Sequence, residues 1–445
     1  MPEPDALPPR PAFRDALRFW FKLGWISFGG PTGQIAIMHL ELVERRRWIG
    51  EDRFLHALNF CMLLPGPEAQ QLATYSGWLL HGTRGGIAAG ILFVLPSALL
   101  LWGLSWLYAS KGTVPAVAAV FDGLKPAVLA LVAVAMVRLG RRALRHPMSW
   151  GIAVAAFVAL FAVKLPFPLV LACAALLGWM GGRFWPGEPG GDKAVSNADP
   201  KHVAPVSSKT VEPVGCEPSH SWWWRMARVT LIGLTCWWLP VVAAGWWLGA
   251  DHTLFRQGLF FSKAALVTFG GAYAVLPYVA QHAVEVHAWL EPGQMMDGLG
   301  LAETTPGPLV MVLQFVGFMG GWNHPGTMSP LLGATLGAAM TTWVTFAPCF
   351  LWILLGAPHV ERMRRMASIA DALRGVTAAV VGVILNLAVW FGWHVLFPAG
   401  HGLDMFALVV VLTCITGMSL WRWNVVWVIL GAGAAGWGRH LLAGA

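Results

Sequence analysis

Long, almost wholly apolar segments dominate the chain, and short polar segments separate them. Residues 85–108, 114–137 and 231–247 are examples. A helix rises about 1.5 Å per residue, so segments of about 17–25 residues cross the hydrocarbon core of a bilayer, which is roughly 30 Å thick. Transmembrane β-strands would show alternating segments of about ten residues, and no such pattern recurs here. The pattern therefore predicts an all-α, polytopic integral membrane protein.

The composition supports this prediction and excludes a soluble enzyme. Apolar residues make up 57% of the 445 positions and charged residues 12%, whereas a soluble domain typically carries about 25% charged residues. Residues 1–18 carry three arginines and no cleavable secretory signal. We expect multi-pass insertion without cleavage into a bacterial inner (cytoplasmic) membrane, where the lipid bilayer is the first partner of the chain.

Charge and motifs narrow the class further. The net charge of +8 is concentrated in a few loops, which reports orientation in the membrane and predicts no nucleic-acid partner. The six cysteines form no CxxC pair, and the fourteen histidines show no metal-binding spacing. No Walker, dinucleotide-binding or nucleophile-elbow motif occurs. We therefore expect neither an enzyme, nor a cofactor, nor a metal site.

The chain repeats itself without gaps at a separation of 241 residues. The matching pairs are Lys22 with Lys263, Phe28-Gly29-Gly30 with Phe269-Gly270-Gly271, Trp48 with Trp289, and Pro65-Gly66-Pro67 with Pro306-Gly307-Pro308. Residues 185–221 between the halves are polar and rich in Pro, Gly, Ser and Lys, which is typical of a linker. The sequence thus predicts an N-terminal membrane repeat (1–184), a cytoplasmic linker (185–221) and a C-terminal membrane repeat (222–445).

Basic residues predict that the two repeats have inverted topology. Clusters at 45–47 and 138–145 in the first half have no basic counterpart in the second, whereas 362–365 is basic and its counterpart at 109–113 has a single lysine. Cytoplasmic loops collect Lys and Arg, so matching loops lie on opposite sides. We expect the N-terminus and the linker in the cytoplasm and the C-terminus outside.

Two sequences in each half, FGG and PGP, predict broken helices. Residues 13–43 and 52–82 are then either single spans or re-entrant hairpins, and the basic cluster at 45–47 favours hairpins. Broken helices offer free N–H groups and a positive dipole end to an anion. The candidate binding glycines are Gly29, Gly30, Gly66, Gly270, Gly271 and Gly307, and the helix-breaking prolines are Pro65, Pro67, Pro306 and Pro308. The alternative is that the prolines only kink helices for packing.

Four cations in apolar segments are further candidates for binding an anion. Lys22 and Lys263 stand at equivalent positions of the two halves, and so do Lys125 and Arg374. Each costs roughly 2.5–3.5 kcal/mol at the centre of a membrane helix, and a bound dianion would offset that cost. The alternative is that they extend to an interface or pair with Asp122 and Asp371, three positions before Lys125 and Arg374. Polar side chains near the breaks would complete the site, and Thr304, Thr305 and Asn386 are the main candidates.

The ordered motifs resemble those of the chromate ion transporter family. The matching segments are SFGGPTGQIAIMHLELVERRRWI, LPGPEAQQLATYSGW, VLPSALLL and GLKPAVLALV in the first half, and FGGAYAVLPYV, AETTPGPL and RGVTAAVVGVILN in the second. The resemblance covers nearly the whole chain and implies a secondary transporter of the long, two-domain form that exports chromate and confers chromate resistance, driven by the proton-motive force. A homodimer is compatible with the resemblance.

Electrical energy favours export. A dianion that leaves a negative interior gains about 4.6 kcal/mol per 100 mV. The alternative substrate is sulfate, which has the same charge and nearly the same shape, so an importer or exchanger of sulfate or another oxyanion is the competing function. We expect Lys125→Ala or Arg374→Ala to abolish export.

Overall fold

The computed structural model describes residues 11–28, 30–112, 114–184, 222–269, 271–357, 367–398 and 402–442. These residues are almost entirely helical and include no strand, which confirms the predicted all-α class. The helices are α1 (Phe13–Ile26), α2 (Gly30–His39), α3 (Glu51–Met62), α4 (Glu68–Lys111), α5 (Pro115–Ala143), α6 (Pro147–Phe161), α7 (Phe167–Phe184), α8 (Trp222–Leu248), α9 (Thr253–Leu266), α10 (Ala272–Gln281), α11 (Pro292–Thr304), α12 (Val312–Asn323), α13 (Pro330–Gly356), α14 (Ala367–Leu396), α15 (Met405–Leu420) and α16 (Val425–Leu442).

Six of these helices are long and apolar enough to cross a membrane: α4, α5, α8, α13, α14 and α16. Helix α4 is itself two helices joined at a sharp turn, because His81 leaves helical geometry and Gly82 adopts a positive φ of 63°. A Cβ at Gly77 would lie 2.4 Å from the Gly85 carbonyl oxygen, so residues 68–80 fold back tightly along the start of 83–111. The chain is therefore a polytopic membrane protein with half-length helices.

The order of elements recurs along the chain. Helices α1 and α9 each have 14 residues, and α2 and α10 each have 10. A short π-helical turn follows α2 at Leu40–Arg45 and α10 at His282–Val286. After the next helix, each PGP sequence precedes a half-length helical segment, and in the second half this segment opens with a 3-10 turn at Leu309–Met311.

The chain folds back after each FGG sequence. The Arg46 guanidinium lies 5.0 Å from the centre of the Phe19 ring. The centre of the Trp48 ring lies 5.4 Å from the centre of the same Phe19 ring. Phe19 is in the middle of α1, so the chain has returned beside α1 and has not crossed the bundle. In the second half, Trp289 stacks on Phe261 of α9 at 5.8 Å. Both FGG segments are hairpins, which decides between the two alternatives for residues 13–43.

The cluster at the end of the first hairpin is held by ion pairs. Glu41 accepts hydrogen bonds from Arg45 at 2.7 Å and from Arg46 at 3.3 Å. Burial raises the pKa of Glu41, but the two guanidinium groups outweigh it and leave the pKa below its ordinary value. These residues therefore fix the basic cluster at one end of the bundle.

The long helices that correspond between the halves run antiparallel to each other. In the 83–111 part of α4, Gly90 packs against Phe350 of α13, and Trp102 donates a hydrogen bond to Thr335 at 3.1 Å. The residue numbers rise along one helix as they fall along the other. The same holds for α5 and α14, where Gly140 packs against Val381 and Gly392 lies beside Leu129.

The halves are interlocked by glycine contacts. Gly178 of α7 packs against Gly375 of α14, and Gly123 of α5 packs against Gly436 of α16. The last helices of each half thus pack against the long helix of the other half. The boundaries predicted at 184 and 222 adjoin the 185–221 linker, which lies outside the described residues.

Candidate functional site

The four helix breaks meet across the boundary between the halves. The Gly66 N–H donates to the Thr268 carbonyl at 2.7 Å, and the Gly307 N–H donates to the Ser27 carbonyl at 2.8 Å. Ser27 and Thr268 each stand directly before an FGG sequence. Each PGP apex is therefore hydrogen-bonded to the FGG break of the opposite half.

The glycine of each apex is also enclosed from the other side. A Cβ at Gly66 would lie 2.6 Å from the Cys349 sulfur, and a Cβ at Gly307 would lie 2.6 Å from the Ser97 Cβ. Ser97 and Cys349 each follow a proline within a long helix. Both glycines have a positive φ, 122° at Gly66 and 102° at Gly307, and only glycine adopts such angles without strain.

The helix starts at the apices agree with the predicted breaks. Helix α4 begins at Glu68, with Pro67 as its N-cap, and the 3-10 turn begins at Leu309, with Pro308 as its N-cap. The second proline of each motif therefore stands one position before the first helical residue. The first N–H groups of both segments have no carbonyl of their own helix to bond.

Three glutamines of the first half surround the breaks, and each is fully buried: Gln34, Gln70 and Gln71. Gln34 donates to the Gly307 carbonyl and, at 3.3 Å, to the Ser27 carbonyl. Gln71 donates to the Pro65 carbonyl at 2.8 Å. The amide oxygen of each glutamine has no hydrogen-bond partner among the described residues. The breaks therefore contain three buried acceptor oxygens that no described residue satisfies.

Replacing Gln34 with leucine is expected to weaken the contact between the halves. The variant leaves the Gly307 carbonyl without this donor, and an unsatisfied buried group costs about 1–3 kcal/mol. We expect a lower melting temperature of the detergent-purified protein, measured by fluorescence-detected size exclusion after heating. Thr32→Val, at an exposed position of the same helix, is the matched control. Equal melting temperatures for Gln34→Leu and the wild type would contradict the assignment.

The predicted hydroxyl and amide donors are less available to bind an anion than the three glutamines. Thr304 donates to the Leu301 carbonyl at 2.7 Å and Thr305 to the Ala302 carbonyl at 2.9 Å, so both hydroxyl protons are used within α11. Asn386 is half-buried on α14. Gly30 and Gly271 have positive φ values of 71° and 94° at the starts of α2 and α10, whereas Gly29 and Gly270 lie outside the described residues.

The structure places the four predicted cations apart from one another. Lys22 and Lys263 are exposed on the surface of α1 and α9. Lys125 pairs with Asp122 at 2.8 Å, and Arg374 pairs with Asp371 at 2.8 Å, as the alternative interpretation had it. Their charges are therefore balanced locally.

Lys125 and Arg374 also lie at opposite ends of the bundle. Because Leu129 lies beside Gly392, Lys125 stands near the level of residue 396 of α14. That level is about 30 Å from Arg374 at the helical rise per residue. Sequence matching assigned the two residues to equivalent positions. Because α5 and α14 run antiparallel, equivalent positions near the helix ends lie at opposite ends of the bundle.

A cavity of about 560 Å³ opens beside Lys125. Its polar lining includes Asp122, Lys125, His394, Asp404, Arg439 and His440. Arg439 pairs with Asp404 at 3.3 Å. Below the cavity, the Tyr108 hydroxyl donates to Asp297 at 2.8 Å. Sequence reasoning missed Asp297 and Tyr108, although an acidic residue between apolar neighbours in a membrane helix was itself a signal.

Comparison with known proteins agrees with the motifs. The sequence profile of the family described as chromate transporter matches residues 14–179 and 255–437. A "Chromate transport protein" of Pseudomonas aeruginosa is 32% identical over 97% of this chain and 94% of its own length. One of the same name from Cupriavidus metallidurans is 28% identical over 86% of this chain and 83% of its own.

A "Probable chromate transport protein" of Synechococcus elongatus is 27% identical over 93% of this chain and 97% of its own length. No solved structure matches the chain. The profile covers most of the chain in both halves, and its members are transporters and not enzymes. The chain belongs to the chromate transporter family.

Proposed function

We propose that the protein exports chromate across the bacterial inner membrane and so confers chromate resistance. The relatives named for chromate transport support the substrate. The charge of the substrate supports the direction, because efflux of a dianion is electrically downhill by about 4.6 kcal/mol per 100 mV. Import of the dianion would need co-transported cations to overcome the same electrical energy.

The two halves form an inverted repeat in this proposal. The antiparallel packing of α4 on α13 and of α5 on α14 supports it, because corresponding helices run in opposite directions. Inverted repeats let a transporter exchange the roles of its halves, so that the same site opens to either side of the membrane in turn.

The distribution of basic residues supports an orientation of the protein in the membrane. One end of the bundle, which we call the basic end, carries Arg14, Arg47, Arg84, Arg142 and Arg422. The cations Lys111, Lys164, Arg256 and Arg439 lie toward the other end. Cytoplasmic loops collect basic residues, so the basic end is cytoplasmic and the cavity beside Lys125 faces outward. The C-terminus then lies outside.

The anion binds between the two PGP apices. The observation that carries this assignment is the pair of reciprocal hydrogen bonds, Gly66 to Thr268 and Gly307 to Ser27. Each bond joins one helix start to a break of the opposite half. Each helix end contributes about 0.3–1 kcal/mol to anion binding, and up to about 2 kcal/mol when partly buried. Gln34 and Gln71 add amide donors when they rotate toward the anion.

Lys125 and Arg374 act at the two mouths of the pathway and not in the central site. Lys125 lines the outward cavity, and Arg374 lies near the basic end. Each is already paired with an aspartate, so a passing anion has to displace that aspartate from the cation. Thr304, Thr305 and Asn386 remain candidate contacts of the central site.

Chromate accumulation in cells tests this function. Cells that express the protein are expected to hold less chromate at steady state than cells that express Gly307→Ala or carry an empty vector. Growth in chromate should follow the same order. Unchanged accumulation with correctly inserted protein would overturn the proposal. Sulfate is tested by competition, and inhibition of chromate export by equimolar sulfate would make sulfate a substrate of the same site.

A further inference from the structure

A buried carboxylate lies below the outward cavity and takes no part in the site described above. Asp297 of α11 is 4% exposed. Its Oδ2 accepts the Tyr108 hydroxyl proton at 2.8 Å, whereas its Oδ1 has no hydrogen-bond partner among the described residues. A buried ionised carboxylate with an unpaired oxygen is costly, and a proton on that oxygen removes the cost.

A cation stands one helical turn from this carboxylate. The Lys125 ammonium lies 3.8 Å from the Cβ position of Gly293, one helical turn before Asp297 on α11. In this conformation it is bound to Asp122, whose side chain is 62% exposed. The lysine stem is flexible, so Lys125 has two alternative carboxylate partners, one in water and one buried.

The cavity opens beside this pair. Lys125, Asp122 and Met296 line it, and Met296 directly precedes Asp297. The charged and titratable groups that face Asp297 from the surrounding elements are Tyr108 of α4, Asp122 and Lys125 of α5, Glu291 at the start of α11, His394 of α14, and Arg439 and His440 of α16. Arg439 is bound to Asp404, which leaves Lys125 as the cation placed to change partner.

We propose that Asp297 carries the proton that is exchanged for the exported anion, and that Lys125 switches it between the protonated and ionised forms. This inference rests on the proposed function and adds the residue that carries the proton. Outside, a proton passes from cavity water to Asp297 Oδ1 while Lys125 binds Asp122. When the site opens inward, Lys125 turns to Asp297, the carboxyl proton leaves to water, and the carboxylate–ammonium pair replaces the neutral acid.

Glu303 is the competing proton carrier, because it is half-buried and accepts a hydrogen bond from Tyr273. Three observations favour Asp297. It lies beside the cavity, it has an unpaired oxygen, and a cation with a second partner stands within one helical turn. Glu303 lies at the PGP apex. Neither Glu303 nor its neighbours Ala302 and Thr304 line the cavity, whereas Met296, the neighbour of Asp297, does.

The test uses the full chain in proteoliposomes loaded with chromate in buffers alkaline enough to keep it a dianion. Two rates are compared with the membrane potential clamped: chromate counterflow without a pH gradient, and chromate efflux with an acidic outside. A trapped pH dye reports proton entry. The variants are Asp297→Asn, Asp297→Glu and Glu303→Gln. Asp251→Asn, which changes a highly exposed carboxylate, is the control.

The wild type and Asp251→Asn should show faster efflux with the pH gradient and proton entry that accompanies it. Asp297→Asn should keep counterflow within about twofold of wild type but lose both the stimulation and the dye signal, and Asp297→Glu should keep them. Stimulation that persists in Asp297→Asn, or is lost in Glu303→Gln alone, would overturn the inference. Absence of counterflow in the wild type would instead overturn the proposed function.

Discussion

Replacing Gly307 with alanine is expected to reduce chromate transport at least about tenfold, which corresponds to about 1.4 kcal/mol in the transport barrier. The backbone of Gly307 has a φ of 102°, a region that costs a residue with a Cβ about 1–3 kcal/mol. The new Cβ would also lie 2.6 Å from the Ser97 Cβ. The apex must then move away from α4, and its hydrogen bond to Ser27 must lengthen.

The experiment measures chromate counterflow with purified protein whose size-exclusion profile is unchanged. Gly431→Ala is the matched control, because a Cβ at Gly431 has nothing within 4 Å. Ser97→Gly should partly restore transport to Gly307→Ala by making room for the methyl group. Gly66→Ala should behave like Gly307→Ala, since its Cβ would meet the Cys349 sulfur. Wild-type transport in both alanine variants would remove the apices from the pathway.

The second large effect is expected at the two mouths of the pathway, and it should depend on the side from which chromate is offered. Arg374→Ala should raise the half-saturating chromate concentration at the cytoplasmic side at least about fivefold, because about 1 kcal/mol of attraction to the anion is lost. Lys125→Ala should do the same at the outer side. Right-side-out and inside-out membrane vesicles separate the two sides.

Charge-preserving variants are the controls for this prediction. Lys125→Arg and Arg374→Lys keep an ion pair within reach of Asp122 and Asp371, so both should transport with nearly wild-type affinity. Asp251→Asn should have no effect on either side. Equal loss of affinity on both sides in either alanine variant would contradict the separation of Lys125 from Arg374 along α14.

The sequence predicted the fold class and the helix breaks correctly for identifiable reasons. Apolar length and low charge are sufficient for an all-α membrane protein, and FGG and PGP carry glycines that tolerate positive φ. The basic cluster at 45–47 also pointed to the hairpin, which the contact of Arg46 with Phe19 confirms. These features are local, so the sequence around them is informative.

The arrangement of the candidate site could not be derived in the same way. Sequence matching placed Lys125 opposite Arg374 but carried no information on how α5 and α14 pack, and antiparallel packing moves the two cations to opposite ends. The reciprocal bonds between Gly66 and Thr268 and between Gly307 and Ser27 join residues that are remote in sequence. Asp297 was missed because its partner Tyr108 comes from the other half of the chain.

The central claim is that a doubly charged oxyanion binds where the four broken helices meet. An electron cryo-microscopy map of the protein with saturating chromate tests it most directly, with a chromate-free map as the reference. The account predicts a strong difference peak between the two PGP apices, within hydrogen-bonding distance of the first N–H groups after Pro67 or Pro308. A peak confined to the cavity beside Lys125, or on the lipid-facing surface, would contradict it.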